Sequence, residues 1–233
     1  LVREIDALDG VMGRAIDKSG IQFRMLNKSK GPAVHGPRSQ ADRGLYKKSV
    51  QDILLLEQKI EVVEGFVDDL IVENNQIKGV VLDNNIKILC SSLVITTGTF
   101  LGGKIFIGEK TFEAGRIGDK SSSRLSKKIR KLGFPVGRLK TGTPPRLIKN
   151  TINWELIELQ SADQNPVPFS YLTSKIKVPQ IKCGITRTTE KTHNIIERNL
   201  IKSPVFSGSI KGYGPRYCPS IEDKVDRFKD KTS

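Results

Sequence analysis

Between Ile60 and Thr97 the apolar positions alternate with polar ones or gather in short runs. The runs cover 60–63, 67–73, 77–82 and 86–95, and turn residues interrupt them at Asn74-Asn75 and Asp83-Asn84-Asn85. This pattern predicts a β-meander. Its last strand runs into Leu93-Val94-Ile95-Thr96-Thr97-Gly98, the form in which a buried strand delivers a glycine close to a ligand. Elsewhere the period lengthens. Residues 27–44 start as a Gly/Pro loop and are expected to enter a helix near Ser39, capped by Ser39 with Asp42 three residues on. Leu45, Ile53 and Leu56 follow at helical spacing and should face a core. A second helix is expected from Ser122 or Ser123 to Leu132, with Leu125, Ile129 and Leu132 as its apolar stripe and Gly133 as its stop. A third covers Glu190 to Leu200 and a fourth starts at Ser220. Residues 134–180 are rich in Pro and Gly and read as irregular. Strands followed by helices predict an α/β or α+β fold.

Composition narrows the classes. The chain has 233 residues, 37% apolar and 27% charged, enough for a packed core and against disorder. No apolar run approaches the roughly 20 residues of a membrane span, so no membrane association is expected. Cys90, Cys183 and Cys218 are far apart and odd in number, which argues against a disulfide framework or a paired-cysteine metal site and fits a reducing cytosol. With only His35 and His193, histidine-based zinc chemistry lacks material. The chain opens Leu1-Val2-Arg3 and closes at Thr232-Ser233 after a charged run, so both ends read as cuts in a longer protein.

Net charge is +14, unevenly spread. Residues 101–150 hold thirteen Lys/Arg against Glu109, Glu113 and Asp119, a local excess of +10. Such a surface attracts polyanions, with nucleic acid or cofactor phosphates as the usual partners.

Three motifs fail on inspection. Gly98-Thr99-Phe100-Leu101-Gly102-Gly103-Lys104 resembles a P-loop, but Ile105 stands where Ser or Thr must meet magnesium. Lys140-Thr141-Gly142 copies the KTG of serine β-lactamases, but no Ser-x-x-Lys nucleophile precedes it, and Ser174-Lys175-Ile176-Lys177 falls after it. Gly212-Tyr213-Gly214 opens like a dinucleotide fingerprint, but Tyr217 occupies the third glycine position.

Two sites survive. Cys218 lies two residues before Ser220, a helix cap backed by Asp223, and two after Arg216. A helix N-terminus and a cation both favour thiolate, the nucleophilic form. A buried structural cysteine is the competing reading. Gly115-Arg116-Ile117-Gly118-Asp119 leads into Ser121-Ser122-Ser123, which makes either a phosphate or ribose cradle or an ordinary capped helix. His35 and His193 read as structural or surface residues.

Several segments together resemble the GidA (MnmG) family. They are Leu26-Asn27-Lys28-Ser29-Lys30-Gly31-Pro32-Ala33-Val34, Gly36-Pro37-Arg38-Ser39-Gln40-Ala41-Asp42-Arg43, Thr97 to Ile105, Gly137-Arg138-Leu139-Lys140-Thr141-Gly142-Thr143-Pro144-Pro145-Arg146, and the run around Cys218. They occur in the family's order across essentially the whole chain. His35, Ala114 and Thr189 depart from the commoner Arg, Gly and Asn. The resemblance implies part of a glutathione-reductase-like FAD-binding fold with a β-meander and an inserted α/β domain. Residues 1–145 would belong to the FAD-binding domain and 146–233 to the inserted, NAD-associated region.

The resemblance also implies a cytoplasmic enzyme that uses FAD, NADH and a folate one-carbon donor. With the GTPase partner MnmE it would build a carboxymethylaminomethyl group at C5 of the tRNA wobble uridine. A homodimer that joins its partner in a heterotetramer is expected. By position, Val67 and Ser122 match FAD contacts. Gly214-Pro215-Arg216-Tyr217-Cys218-Pro219-Ser220-Ile221-Glu222-Asp223-Lys224-Val225-Asp226-Arg227-Phe228 matches the nicotinamide stretch, and Cys218 a catalytic cysteine, as nucleophile or proton donor. The near P-loop becomes a flavin-fold strand-to-glycine turn. The family's N-terminal FAD fingerprint, a second cysteine and the C-terminal helical region are not in these 233 residues, so weak FAD binding and no modification activity are expected of this piece alone. A basic RNA-binding module without catalysis and a related folate- and FAD-dependent tRNA uracil methyltransferase are the alternatives.

Overall fold

The computed structural model describes residues 1–140, 142–204, 206–208, 210 and 220–228. In chain order the elements are α1 (Val2–Ala7), α2 (Val11–Asp17), β1 (Gly20–Leu26), β2 (Gly36–Ala41), α3 (Arg43–Leu55), β3 (Val67–Glu73), β4 (Gln76–Leu82), β5 (Lys87–Leu89), β6 (Ile105–Ile107), β7 (Lys110–Phe112), α4 (Ser123–Lys131), β8 (Glu158–Gln160), β9 (Cys183–Ile185), α5 (Glu190–Asn199) and α6 (Ile221–Arg227). The mixed helix and strand class is as expected. Two compact units form, one from Leu1–Val62 with Leu147–Thr186 and one from Val63–Arg146 with Arg187–Ser233.

In the first unit β1 pairs antiparallel with β2, setting Phe23 opposite Ser39, and β8 pairs with β9. Phe23, Phe169 and Ile176 form the core, with Val2 and Ile16 against it. The 147–186 stretch has few ladder bonds of its own, so its backbone donors and acceptors need other partners. Side chains supply them. The Asp17 carboxylate, 3% exposed, accepts the N–H groups of Phe169 at 2.8 Å and Ser170 at 2.9 Å. Gln22, fully buried, donates to the Gln160 carbonyl at 3.1 Å. Gln180 accepts from the Phe23 N–H and donates to the Gly20 carbonyl, both at 3.0 Å.

The helix expected near Ser39 starts later. Ser39 belongs to β2, held by its ladder with β1, and Asp42 is the true cap, accepting from the Leu45 N–H at 2.9 Å. The inward stripe is also shifted. Ser49 is buried and Tyr46, Val50 and Ile53 are half-buried, a spacing of three and four. Leu45 and Leu56 lie at the edge of that stripe and are exposed, against expectation.

In the second unit β3, β4 and β5 form the predicted meander. Asn74 and Asn75, at φ 51° and 61°, make the two left-handed positions of its tight first turn. Leu70, Val80 and Leu82 share one sheet face, and Leu125 of α4 completes their cluster. Arg124 reaches Asp68 at 2.7 Å and Lys128 reaches Asp69 at 3.0 Å. The helix stops at Leu132, followed by Gly133 at φ 85°. α5 and α6 both start on reciprocal capping boxes, Thr189 with Thr192 and Ser220 with Asp223.

One expected strand is absent and another is shortened. Residues 60–63 form none, and 86–95 shrinks to β5. Leu93 packs on the core, but Val94 and Ile95 are exposed. A strand needs a neighbour to satisfy its N–H and C=O groups, and among the described residues 93–95 has no ladder partner.

Leu125→Ala should destabilise the fold by about 2–5 kcal/mol through the cavity it leaves. Urea unfolding measures this, and an unchanged transition would remove Leu125 from the core. A second expectation concerns acid. Burial pushes the Asp69 carboxyl up, but the Lys128 ammonium and the Leu70 N–H outweigh it and hold the group below the usual 3.8. Lys120 holds Asp83 low as well. A depressed folded-state value means the folded state binds fewer protons than the unfolded one, so this stability is present above 3.8 and is lost as pH falls through the lowered values. The thermal midpoint of Asp69→Asn should therefore fall less steeply with acid than that of the wild type. Parallel curves would exclude a contribution from Asp69.

Candidate functional site

The Gly-rich stretch after Thr97 is a turn without the expected ladder strand before it. Gly98 and Gly102 take φ 60° and 57°. Ile105 opens β6, which pairs back onto β7, so no helix follows the glycines and the P-loop arrangement is excluded by the fold as well as by the missing hydroxyl. The first α4 residues close the site from the other side. Ser122 stands at the helix N-cap, yet its side chain makes no capping hydrogen bond. Its Oγ instead donates to the Phe100 carbonyl at 3.1 Å and accepts from the Gly102 N–H at 3.4 Å. Ser122 thus fastens the glycine loop to the start of the helix. Arg138 adds a hydrogen bond to the Gly102 carbonyl at 3.3 Å.

The 98–104 and 113–119 loops meet closely. A Cβ at Gly115 would lie 2.3 Å from Phe100 Cβ, and one at Gly103 would lie 2.9 Å from the Ala114 carbonyl oxygen. Ala114 is buried in this contact, so its methyl is accommodated where a glycine is commoner.

The electrostatics of the cradle differ from what the charge count suggests. Arg116 pairs with Asp119 at 3.0 Å, Lys120 with Asp83 at 2.9 Å, and Arg124 with Asp68. These three cations are already neutralised, whereas Lys104 within the loop and Arg138, on the Gly102 carbonyl, form no ion pair among the described residues. Backbone N–H groups and hydroxyls at the start of α4, where the helix dipole is positive, add to the attraction for an anion. The Ser121 Oγ is buried and has no hydrogen-bond partner among the described residues. Gly98 and Gly118 have positive φ and open space where a Cβ would stand. An orphaned hydroxyl and two open glycines suit a phosphate or ribose.

Val67 opens β3 and packs on the Leu70–Leu125 cluster. The ladder register shifts between Val67 and Asp69, and the Asp68 carboxylate takes Arg124. Val67 and Ser122 therefore border one core in one unit. Of the stretch matched to the nicotinamide cofactor, Ser220 to Phe228 form α6 and its two caps. Ser220 Oγ accepts the Asp223 N–H at 3.1 Å, and Ser203 donates to Glu222 at 3.3 Å. Val225 is buried and serves packing, while Ile221, Lys224, Asp226, Arg227 and Phe228 are exposed. Gly214, Pro215, Arg216, Tyr217, Cys218 and Pro219 lie outside the described residues.

His193 is buried against Thr188, Nε2 to Oγ1 at 2.8 Å, and His35 meets the Lys28 carbonyl at 3.2 Å. Cys90 and Cys183 are half-buried. Sequence reasoning placed Ser121 in the candidate cradle but missed Asp68 and Asp69. The two adjacent acids in an otherwise apolar strand were a usable signal, since one of any adjacent pair must face away from the core.

A family model described as "Glucose inhibited division protein A" matches residues 1–233. The tRNA uridine 5-carboxymethylaminomethyl modification enzyme MnmG of Thermodesulfovibrio yellowstonii is 53% identical over 232 residues, and its namesake from Granulibacter bethesdensis 54% identical over 235. Each match covers all of this chain and 37% of the relative, so the chain spans well under half of their length. The structure of Aquifex aeolicus GidA superposes with TM-score 0.88 and 45% identity in one crystal form, over all of this chain and 40% of that one. In a second form the values are 0.86, 42% and 38%. With the whole chain matched in both sequence and fold, the protein belongs to the GidA, or glucose-inhibited division protein A, family.

Proposed function

We propose that this chain is a segment of a flavin-dependent enzyme that builds a carboxymethylaminomethyl group at C5 of the tRNA wobble uridine. The observation that carries the reading is the family match over residues 1–233, joined to the 53% and 54% identity with relatives named for that modification. FAD is the resident cofactor, NADH the reductant and a folate derivative the one-carbon donor. The complete protein is a cytoplasmic homodimer that acts with the GTPase MnmE in a heterotetramer.

The residues present fit a flavin dinucleotide. Open Gly98 and Gly118, the unpartnered Ser121 hydroxyl and the uncapped start of α4 offer donors to phosphate or ribose. Ser122 holds the loop that carries them, and the Val67 backbone supplies the second contact. When bound, FAD supplies the redox chemistry between NADH and the folate-derived carbon. Residues 214–228 receive the nicotinamide cofactor. Cys218 acts on the uracil ring, as a thiolate nucleophile or as a proton donor. The basic excess of residues 101–150 favours an RNA substrate.

In the full-length protein, Cys218→Ser should lower wobble-uridine modification by about 100-fold or more with flavin content intact, read by nucleoside analysis of the tRNA. Undiminished modification would sink its catalytic role. A product bearing only a methyl group would point to the related uracil methyltransferase, and RNA binding without any product to a non-catalytic module. Ser122→Ala removes two hydrogen bonds from the loop and should weaken FAD binding by about tenfold, read by flavin absorbance on titration. Unaltered affinity would take Ser122 out of the site.

A further inference from the structure

Helix α4 carries five cations in nine residues, Arg124, Lys127, Lys128, Arg130 and Lys131. Leu125, with Ile129, sets its core side. At about 100° per residue, Arg124 and Lys128 fall on one flank of that stripe, while Lys127, Arg130 and Lys131 fall opposite it. The strand carboxylates Asp68 and Asp69 take the two flank cations. Lys127, Arg130 and Lys131 are exposed, and none forms an ion pair among the described residues. Lys131 bears on Asp69 only as a neighbouring charge.

We infer that this outer arc of α4 is a docking surface for the phosphodiester backbone of RNA. The inference rests on the proposed tRNA substrate and adds the place where it is held. Three cations lie within five residues, roughly 6 Å along the axis, on a helix whose rotation is fixed by Leu125 and two ion pairs. The backbone that carries these charges is fixed in this way, so binding has only the side chains to order and not the helix. A lipid surface fits poorly. Membrane-surface helices turn an apolar face to the lipid, and the apolar face of α4 is spent on the sheet.

The test uses the full-length enzyme and a substrate tRNA, with Kd measured from 50 to 200 mM salt. Lys127→Gln/Arg130→Gln/Lys131→Gln keeps helix propensity and removes only charge. Three lost phosphate contacts should lower the slope of log affinity against log salt by roughly 2–3, so the affinity lost across that salt range shrinks by roughly 20- to 40-fold. Each single glutamine variant should account for about a third of the slope change, which keeps the test open if the triple variant does not fold. Flavin content should match the wild type throughout. An unchanged Kd and slope overturn the inference while leaving the proposed function standing. Retained tRNA binding with loss of the GTPase partner overturns it as well and assigns the arc to protein. Failure of the wild-type enzyme to bind tRNA overturns both.

Discussion

The seating of Leu125 against Leu70, Val80 and Leu82 is the contact from which the second unit takes its form. One leucine would leave the helix free to roll. The Arg124–Asp68 and Lys128–Asp69 pairs remove that freedom by tying two successive turns to the neighbouring strand. Exposed ion pairs stabilise little, with a median of about 0–1 kcal/mol, so their value here is orientation. Once α4 cannot roll, Ser122, three residues before Leu125, has one place to put its hydroxyl, between Phe100 and Gly102. The glycine loop, the buried Ser121 hydroxyl and the outer basic arc all inherit their positions from that seat.

The first unit solves a different problem. Its 147–186 stretch is irregular and contributes little apolar core beyond Phe169 and Ile176. Buried amide and carboxylate side chains from the earlier stretch therefore serve as its hydrogen-bonding partners. Asp17 is the clearest case, since a buried carboxylate is costly unless it is hydrogen-bonded, and two backbone N–H groups meet that need. Gln22 does the same for the Gln160 carbonyl, and Gln180 works in reverse, from the later stretch onto the β1 backbone at Gly20 and Phe23. Such polar stitching fixes geometry closely, because any slip would leave several buried groups unpaired.

What was legible in the sequence was local. The Asn74-Asn75 turn, the β3 and β4 alternation, and the Ser220–Asp223 box are short-range patterns, and each is present in the fold. The α3 start was misread by one turn because Ser39 and Asp42 are both good cap acceptors and only the distant pairing of β1 with β2 decides between them. The apolar run 93–95 carries strand chemistry, but strand formation depends on a partner that periodicity cannot reveal. Asp17 meeting Phe169 across 152 residues leaves no local trace at all. At the candidate site, Ser122 reads in the sequence as a helix cap, and its reach to the loop in place of the helix end depends on the fold.

The basic stretch shows most clearly how far a charge count carries. An excess of +10 over residues 101–150 suggested one continuous attractive surface. Pairing divides it. Around the cradle, Arg116, Lys120 and Arg124 are each held by an aspartate, two of which, Asp68 and Asp83, lie outside the stretch counted. An anion there would meet oriented N–H groups and hydroxyls, which discriminate by geometry, with Arg138 and Lys104 as cations that form no ion pair among the described residues. On the outer arc of α4 the cations form no ion pairs among the described residues, so the proposed RNA binding there would be a matter of net charge and respond strongly to salt. The same run of lysines and arginines is thus divided into paired and unpaired cations, and the aspartates of β3 and of the turn after β4 set much of that division.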